Sequence, residues 1–129
     1  MEAMLGSRSA LFVGGTRSDP DPDDVPNLPA GTVALGFSHA FPGRVRLNLD
    51  AEWSDLRYVD NPRFPSPDRT VDAYWLLNAR LGVPIALLFE GLGGEVYLAG
   101  ENLADEEYGY RPGYPMPGRT VMAGLDLRF

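Results

Sequence analysis

The stretch YPMPGRTVMAGLDLRF, residues 114–129, contains a strict alternation of two kinds of residue. The odd-numbered residues from 121 onward are all apolar and would share one face of a strand. The even-numbered residues on the other face are polar, small or flexible. A register slip of one residue would move every apolar side chain to the opposite face, so the pattern predicts a β-strand with a defined pairing. The apolar face consists of Val121, Ala123, Leu125, Leu127 and Phe129.

The same alternation recurs upstream and predicts an all-β protein, an antiparallel meander of about six strands. Residues 32–41, 45–54, 72–83 and 95–102 alternate in this way, and residues 9–15 are predicted as a further strand. Glycine and proline interrupt every longer stretch, so no helix is predicted.

The lengths of the connections alternate along the chain. Pro42 and Gly43 alone join one pair of predicted strands, and residues 84–94 join another. The remaining connections, residues 16–30, 57–71 and 103–118, each have about 15 residues, near the upper limit of ordinary loops. In an antiparallel meander this order places all the long loops at one end of the sheet.

Composition excludes several function classes. The 129 residues fit one domain, and the net charge of -7 argues against a nucleic-acid surface. The chain has no cysteine, so neither disulfides nor thiolate metal sites are available. No run of eighteen apolar residues predicts a membrane helix, and acidic Glu2 stands where a signal peptide carries positive charge.

Candidate chemical sites are few. The acidic stretch DPDPDD, residues 19–24, has prolines at intervening positions and lacks the glycine of a calcium loop, so a solvated loop is the preferred interpretation. His39 is the single histidine and is interpreted as an interfacial residue rather than a metal ligand. No catalytic triad can be assembled. We therefore expect no enzyme activity, no metal and no cofactor.

The position of the aromatic residues bears on what covers the apolar faces. Trp53 and Trp75 lie beside long loops, and Phe41 and Phe129 lie at the short-turn end. Two aromatic levels separated by about ten residues are typical of the interfacial girdles of an outer-membrane barrel. A soluble sandwich or small barrel also alternates and remains open as an alternative. The opposite face carries mixed charge, which suits a watery interior: Arg46, Asp50, Glu52, Asp72, Arg80, Glu95, Glu101, Asp126 and Arg128.

The stretch VYLAGENLADEEYGYRPGYPMPGRTVMAGLDLRF, residues 96–129, resembles the C-terminal end of TonB-dependent outer-membrane receptors. The terminal Gly124-x-x-Leu127-x-Phe129 resembles the signal read by the barrel-assembly machinery. Upstream segments from residue 25 resemble the preceding strands of the family. The residues that carry the family motif are Asn102, Leu103, Asp105, Tyr108, Pro117, Gly118 and Arg119.

The resemblance implies that residues 9–129 are the C-terminal strands of a transmembrane β-barrel, preceded by a disordered or truncated segment 1–8. It implies a Gram-negative outer membrane with the long loops extracellular and the C-terminus periplasmic. The implied partners are the lipid bilayer, the barrel-assembly machinery, the rest of the barrel with its plug, and TonB through a missing N-terminal part. Family members have about 22 strands and a plug, so the chain is expected to be a fragment of a receptor.

The expected function is therefore part of a receptor that imports an iron–siderophore complex, cobalamin or a similar nutrient. The alternative is a small soluble or self-assembling β-sheet module that binds a ligand. Tyr108, Tyr110, Arg111 and Tyr114 are candidate contacts for a ferric chelate or another anionic ligand, because they combine aromatic faces with a cation. The preferred interpretation is structural: these residues pack the loop and anchor it at the lipid interface.

Overall fold

The computed structural model describes residues 2–4, 8–18, 28–59, 70–111 and 113–128, and residues 2–4 and 111 by their backbone only. The described chain is all-β, and one antiparallel sheet of seven strands contains most of it. The strands are β1 (Glu2–Met4), β2 (Ser9–Arg17), β3 (Gly31–Ala40), β4 (Arg46–Ser54), β5 (Arg57–Tyr58), β6 (Thr70–Val71), β7 (Tyr74–Pro84), β8 (Gly93–Glu101), β9 (Gly109–Arg111), β10 (Tyr114–Pro115) and β11 (Thr120–Arg128).

The main sheet has the order β1-β2-β3-β4-β7-β8-β11, with every neighbouring pair antiparallel. The predicted meander of six strands is confirmed, with ends that differ by a few residues. The three-residue strand β1 lies in the segment for which no element was predicted. Within the described residues β1 and β11 are the two edges of the sheet.

The two short connections lie at one end of the sheet. Between β3 and β4 the chain turns through Pro42–Arg44, closed by a hydrogen bond from the Phe41 N–H to the Val45 carbonyl of 2.8 Å. Gly43 and Arg44 have φ of 80° and 65°. Glycine adopts this left-handed conformation without steric cost, whereas arginine is strained in it. Between β7 and β8 a 3-10 turn spans Ile85–Leu87.

The long connections lie at the opposite end, as the loop lengths predicted. Backbone hydrogen bonds continue the strand pairing into them, from the Asp55 N–H to the Gly31 carbonyl at 2.9 Å and from the Ser18 N–H to the Ala30 carbonyl at 2.8 Å. The Ala30 N–H lies 3.5 Å from the Leu56 carbonyl and links two of the connections. Two small antiparallel pairs, β5 with β6 and β9 with β10, stand in these connections. These pairs were not predictable from the sequence, because two or three residues are too few to show a period.

The register aligns the apolar residues of every strand on one continuous face. Cross-strand partners such as Phe37 with Leu49, and Trp53 with Trp75, lie on that face. The opposite face, called here the polar face, pairs Asn48 with Arg80. The predicted division of each strand into two faces is therefore confirmed.

The sheet has almost no core of its own. The buried apolar residues among those described are Val59, Val71, Tyr74 and Ile85, and all four lie at the ends of the sheet or in connections. Large side chains of the apolar face are instead exposed, including Leu98 at 53% and Leu125 at 60%. The described residues form one layer, and no second layer covers it.

Candidate functional site

Asn102 forms the centre of a closed turn that follows β8. Its backbone has a φ of 49° and the residue is only 4% exposed. The side-chain amide donates to the Glu106 carbonyl at 2.9 Å, and its oxygen accepts from the Glu106 N–H at 2.9 Å. The amide lies 3.4 Å from the Pro117 carbonyl as well. The buried Asn102 side chain therefore supplies hydrogen bonds to backbone groups that have no strand partner in this irregular loop.

Asp105 ties the other end of the same loop to this turn. Its backbone has a φ of 57°, and its N–H donates to the Asn102 carbonyl at 2.9 Å. Its carboxylate accepts the Arg119 N–H at 2.8 Å. A side chain on Gly118 would lie 2.8 Å from that same carboxylate oxygen. The contacts of this loop bring five motif residues together: Asn102, Asp105, Pro117, Gly118 and Arg119. They close the connection between β8 and β11.

The tyrosines of this loop pack against the start of β7. The rings of Tyr108 and Tyr74 are 4.9 Å apart, and those of Tyr108 and Tyr110 are 5.9 Å apart, edge to face. Tyr114 is 70% exposed, and the side chain of Arg111 lies outside the described residues. Of the four candidate ligand contacts, two belong to one aromatic cluster and a third faces solvent.

Arg57 supplies the cation of this cluster, and the sequence analysis did not single it out. Its guanidinium lies 5.3 Å from the Tyr110 ring centre and 5.8 Å from that of Tyr74, within the range of cation–π attraction. It donates to the Gly109 carbonyl at 3.3 Å, while its Nε is buried with no hydrogen-bond partner among the described atoms. Arg57 and Gly109 are 52 residues apart in the chain, so no local pattern indicates the contact.

A cleft of about 690 Å³ opens beside the tyrosine cluster, between β6 and the loop after β8. Among the described residues, its lining contains four acidic side chains and no basic one: Asp72, Asp105, Glu106 and Glu107 lie beside Tyr108 and Tyr114. These acidic side chains attract a cationic or neutral ligand more than an anionic one. We call this the acidic cleft.

The surroundings of Tyr108 raise its pKa above the usual value. Partial burial of the phenol is the largest cause, followed by the nearby Tyr110 and Tyr74 and the carboxylates of Glu101 and Glu52. All of these oppose a phenolate. Tyr108 is thus held as a neutral hydrogen-bonding group.

The polar face of the sheet carries a connected set of charged and amide groups. Asn78 donates to the Asp50 carboxylate at 2.6 Å and accepts the Asn102 N–H at 3.0 Å. Glu95 accepts from Arg80 at 3.0 Å and pairs with Arg46. These pairs are half exposed, so each contributes little stability on its own.

Gly124 and Leu127, two residues of the predicted assembly signal, lie on opposite faces of β11. Gly124 is paired with Tyr97, whose ring occupies the space that a side chain at position 124 would fill. The Arg80 guanidinium lies 4.4 Å from that ring centre. Leu127 is 44% exposed on the apolar face, and Phe129 lies outside the described residues. Packing on Tyr97 is thus a structural reason for glycine at position 124.

The aromatic residues predicted as girdles mark both ends of the apolar face. Trp53 and Trp75 have ring centres 6.2 Å apart at the long-loop end. At the short-turn end Phe41 packs edge to face on His39 at 4.4 Å, and the His39 Nδ1 lies 2.6 Å from the Ser9 hydroxyl. Phe129, the fourth predicted girdle residue, falls outside the described residues.

An exposed apolar turn was missed by the sequence analysis. Leu87, Leu88 and Phe89 are 54%, 55% and 63% exposed in the connection after β7. The run of apolar residues from Ile85 to Phe89 was visible in the sequence but was assigned only as a compact connection. Its side chains extend the apolar surface beyond the ends of the strands.

Among the described residues no group of three or more histidine, cysteine, aspartate or glutamate side chains is arranged to hold a metal ion. The acidic stretch 19–24 lies outside those residues. No described helix is long and apolar enough to cross a membrane. The sequence matches no protein-family model and none of the curated proteins with which it was compared.

Proposed function

We propose that the chain is the C-terminal part of the β-barrel of a TonB-dependent outer-membrane receptor. Its apolar face contacts hydrocarbon, and its polar face lines a water-filled interior. The parent receptor imports an iron–siderophore complex, cobalamin or a similar nutrient by binding and gated passage. The long loops are extracellular and the C-terminus is periplasmic.

The observation that carries this proposal is the uncovered apolar face. Transfer of a large aliphatic side chain from water to an apolar environment stabilises a protein by about 1.5–3 kcal/mol. Leu49, Leu81 and Leu98 are 37%, 40% and 53% exposed in the middle of the sheet, where a soluble domain has its core. Hydrocarbon would cover these side chains and leave the charged groups of the other face in water.

The open edges of the sheet support a fragment over a complete barrel. In lipid, an unpaired strand edge exposes backbone groups that nothing satisfies. The edges at β1 and β11 therefore require further strands, which the rest of the receptor would supply during assembly by the barrel-assembly machinery. TonB would act through the N-terminal part of the same receptor.

Spin labelling tests which face contacts lipid. The chain has no cysteine, so single cysteines label uniquely. Leu47→Cys and Leu125→Cys place labels on the apolar face, and the adjacent Asn48→Cys and Asp126→Cys serve as matched controls on the polar face. In reconstituted bilayers we expect the first pair to be accessible to oxygen and shielded from a water-soluble nickel complex, and the second pair to show the reverse.

Two results would contradict the proposal. Labels at Leu47 and Leu125 that are shielded from oxygen in bilayers would show that protein covers the apolar face. A chain that is folded in water without detergent, whether monomeric or assembled from copies, would favour the alternative of a soluble or self-assembling β-sheet module.

A further inference from the structure

A second cleft, of about 670 Å³, lies at the short-turn end of the sheet. Among the described residues, four arginines line it, Arg8, Arg44, Arg46 and Arg128, together with the carboxylate of Glu95. We call it the basic cleft. Its position is unexpected in a chain whose net charge is -7.

The positive charge of the basic cleft is only partly neutralised. Glu95 is shared between Arg46 and Arg80, and Arg128 lies 3.8 Å from Asp126. Arg8 and Arg44 have no acidic partner among the described residues. Counting Arg80 and Asp126 with the lining, the described residues supply five guanidinium groups and two carboxylates.

The arginines come from separate elements that the sheet holds together. Arg46 opens β4 and Arg128 ends β11, both on the polar face, while Arg8 precedes β2. A smaller cleft of about 270 Å³ shares Arg8 and Arg46 with the basic cleft and adds the polar side chains of Ser38 and Asn48. The two clefts therefore share Arg8 and Arg46, and a polar surface continues from the basic cleft along the polar face.

Arg44 occupies a strained position of the turn. Its φ of 65° is a conformation in which a non-glycine residue costs about 1–2 kcal/mol. Three-residue hairpin loops favour glycine there. The turn would thus be more stable with glycine at position 44. Arginine costs stability there and supplies a guanidinium group to the cleft.

We propose that the basic cleft is a binding site for a small polyanion that carries two or more phosphate or carboxylate groups. Guanidinium groups bind such groups through paired N–H donors. Arg46 uses one of its terminal nitrogens on Glu95 and remains 64% exposed, so its other donors are available. The site takes the opposite charge from the ligand favoured by the acidic cleft, and it does not depend on the proposed membrane function.

Calorimetric titration of the full chain with sodium pyrophosphate, in a non-ionic detergent at low ionic strength, tests the site. We expect saturable binding with one ligand per chain. Arg44→Gly should weaken binding about fivefold while it preserves or stabilises the turn, so a loss of affinity is separated from a loss of fold. Combining it with Arg128→Gln should weaken binding more than about tenfold. Arg44→Lys, which keeps the charge, should restore most of the affinity.

Arg17→Gln is the matched control, because Arg17 is an exposed arginine at the other end of β2. The proposal is overturned if pyrophosphate shows no saturable binding, or if Arg17→Gln weakens binding as much as Arg44→Gly. Mixed micelles with cardiolipin, whose headgroup carries two phosphates, distinguish the source of the phosphate. If the lipid competes with pyrophosphate for the cleft, a lipid headgroup is an occupant. If the lipid does not compete, the occupant is a free polyanion. The spin-label result is independent of all these outcomes.

Discussion

The two ends of the sheet are held in shape by different physical means. At the long-loop end, the buried Asn102 amide and the Asp105 carboxylate pair with backbone groups of an irregular connection. At the short-turn end, Gly43, Gly91 and Gly94 have φ of 80°, 84° and 123°, and backbone conformation sets the turns. The ends also differ in charge, with the acidic cleft at one and the basic cleft at the other.

This difference indicates how each end tolerates change. A connection held by side-chain hydrogen bonds fails when one buried polar group is removed, because its partners lose their bonds and stay away from water. A connection held by backbone conformation fails when a side chain is added. Deletion of atoms should therefore damage the long-loop end, and addition of atoms should damage the short-turn end.

The largest effect is expected for Gly94→Ala at the short-turn end. A Cβ there would overlap the Asp126 carbonyl oxygen, which belongs to the paired strand β11 and cannot move away alone. We expect the free energy of unfolding, measured by urea titration in detergent with tryptophan fluorescence, to fall by about 3 kcal/mol or more. Gly91→Ala is the matched control, because its φ is also positive but no atom lies within 4 Å of the added carbon. Equal losses in both variants would contradict the predicted clash.

A smaller but still large effect is expected for Asn102→Ala at the long-loop end. Truncation removes one acceptor and one donor from partly buried backbone partners at Glu106, so we expect a loss of about 2–3 kcal/mol in the same measurement. Asn102→Asp keeps the acceptor for the Glu106 N–H but places a carboxylate oxygen against the Glu106 and Pro117 carbonyls at a buried position, so it should lose at least as much. An alanine variant as stable as wild type would show that water or another group replaces the amide.

The smallest effect is a pH dependence at the long-loop end. The pKa of Tyr108 is raised in the folded chain, so the folded state holds the phenolic proton more tightly than the unfolded state does. The associated stability is fully present below pH 10, the ordinary tyrosine value, and is lost as pH rises through the folded pKa. Tyr108→Phe should therefore lose less stability than wild type above pH 10, whereas Tyr114→Phe, at a 70% exposed position, should behave as wild type. If Tyr108→Phe and wild type lose the same unfolding free energy above pH 10, Tyr108 makes no contribution to the pH dependence.

The strands and their two faces were predictable because each leaves a local signature. The alternation from Val121 to Leu127 predicts one apolar surface from only seven residues. The register between β8 and β11 confirms that surface. The end at which the long loops lie followed from counting residues between strands. The motif around Asn102 was visible as a resemblance, but its hydrogen bonds to Glu106 and Pro117 were not.

The acidic and basic clefts could not be predicted, because their residues are distant in sequence. Arg8 and Arg128 stand at opposite ends of the chain, and Arg57 meets Gly109 across 52 residues. Each of these arginines is flanked by neighbours that give no indication of its partner. Only the pairing order of the strands brings them to one end or the other.

The sequence by itself determined the alternation, and with it the strands, their faces and the lengths of their connections, because periodicity acts within a few residues. The tertiary structure decided which charges meet and which surface stays uncovered. Those outcomes depend on the register between strands and on the presence or absence of a second layer. Both are set by contacts between residues that are far apart along the chain.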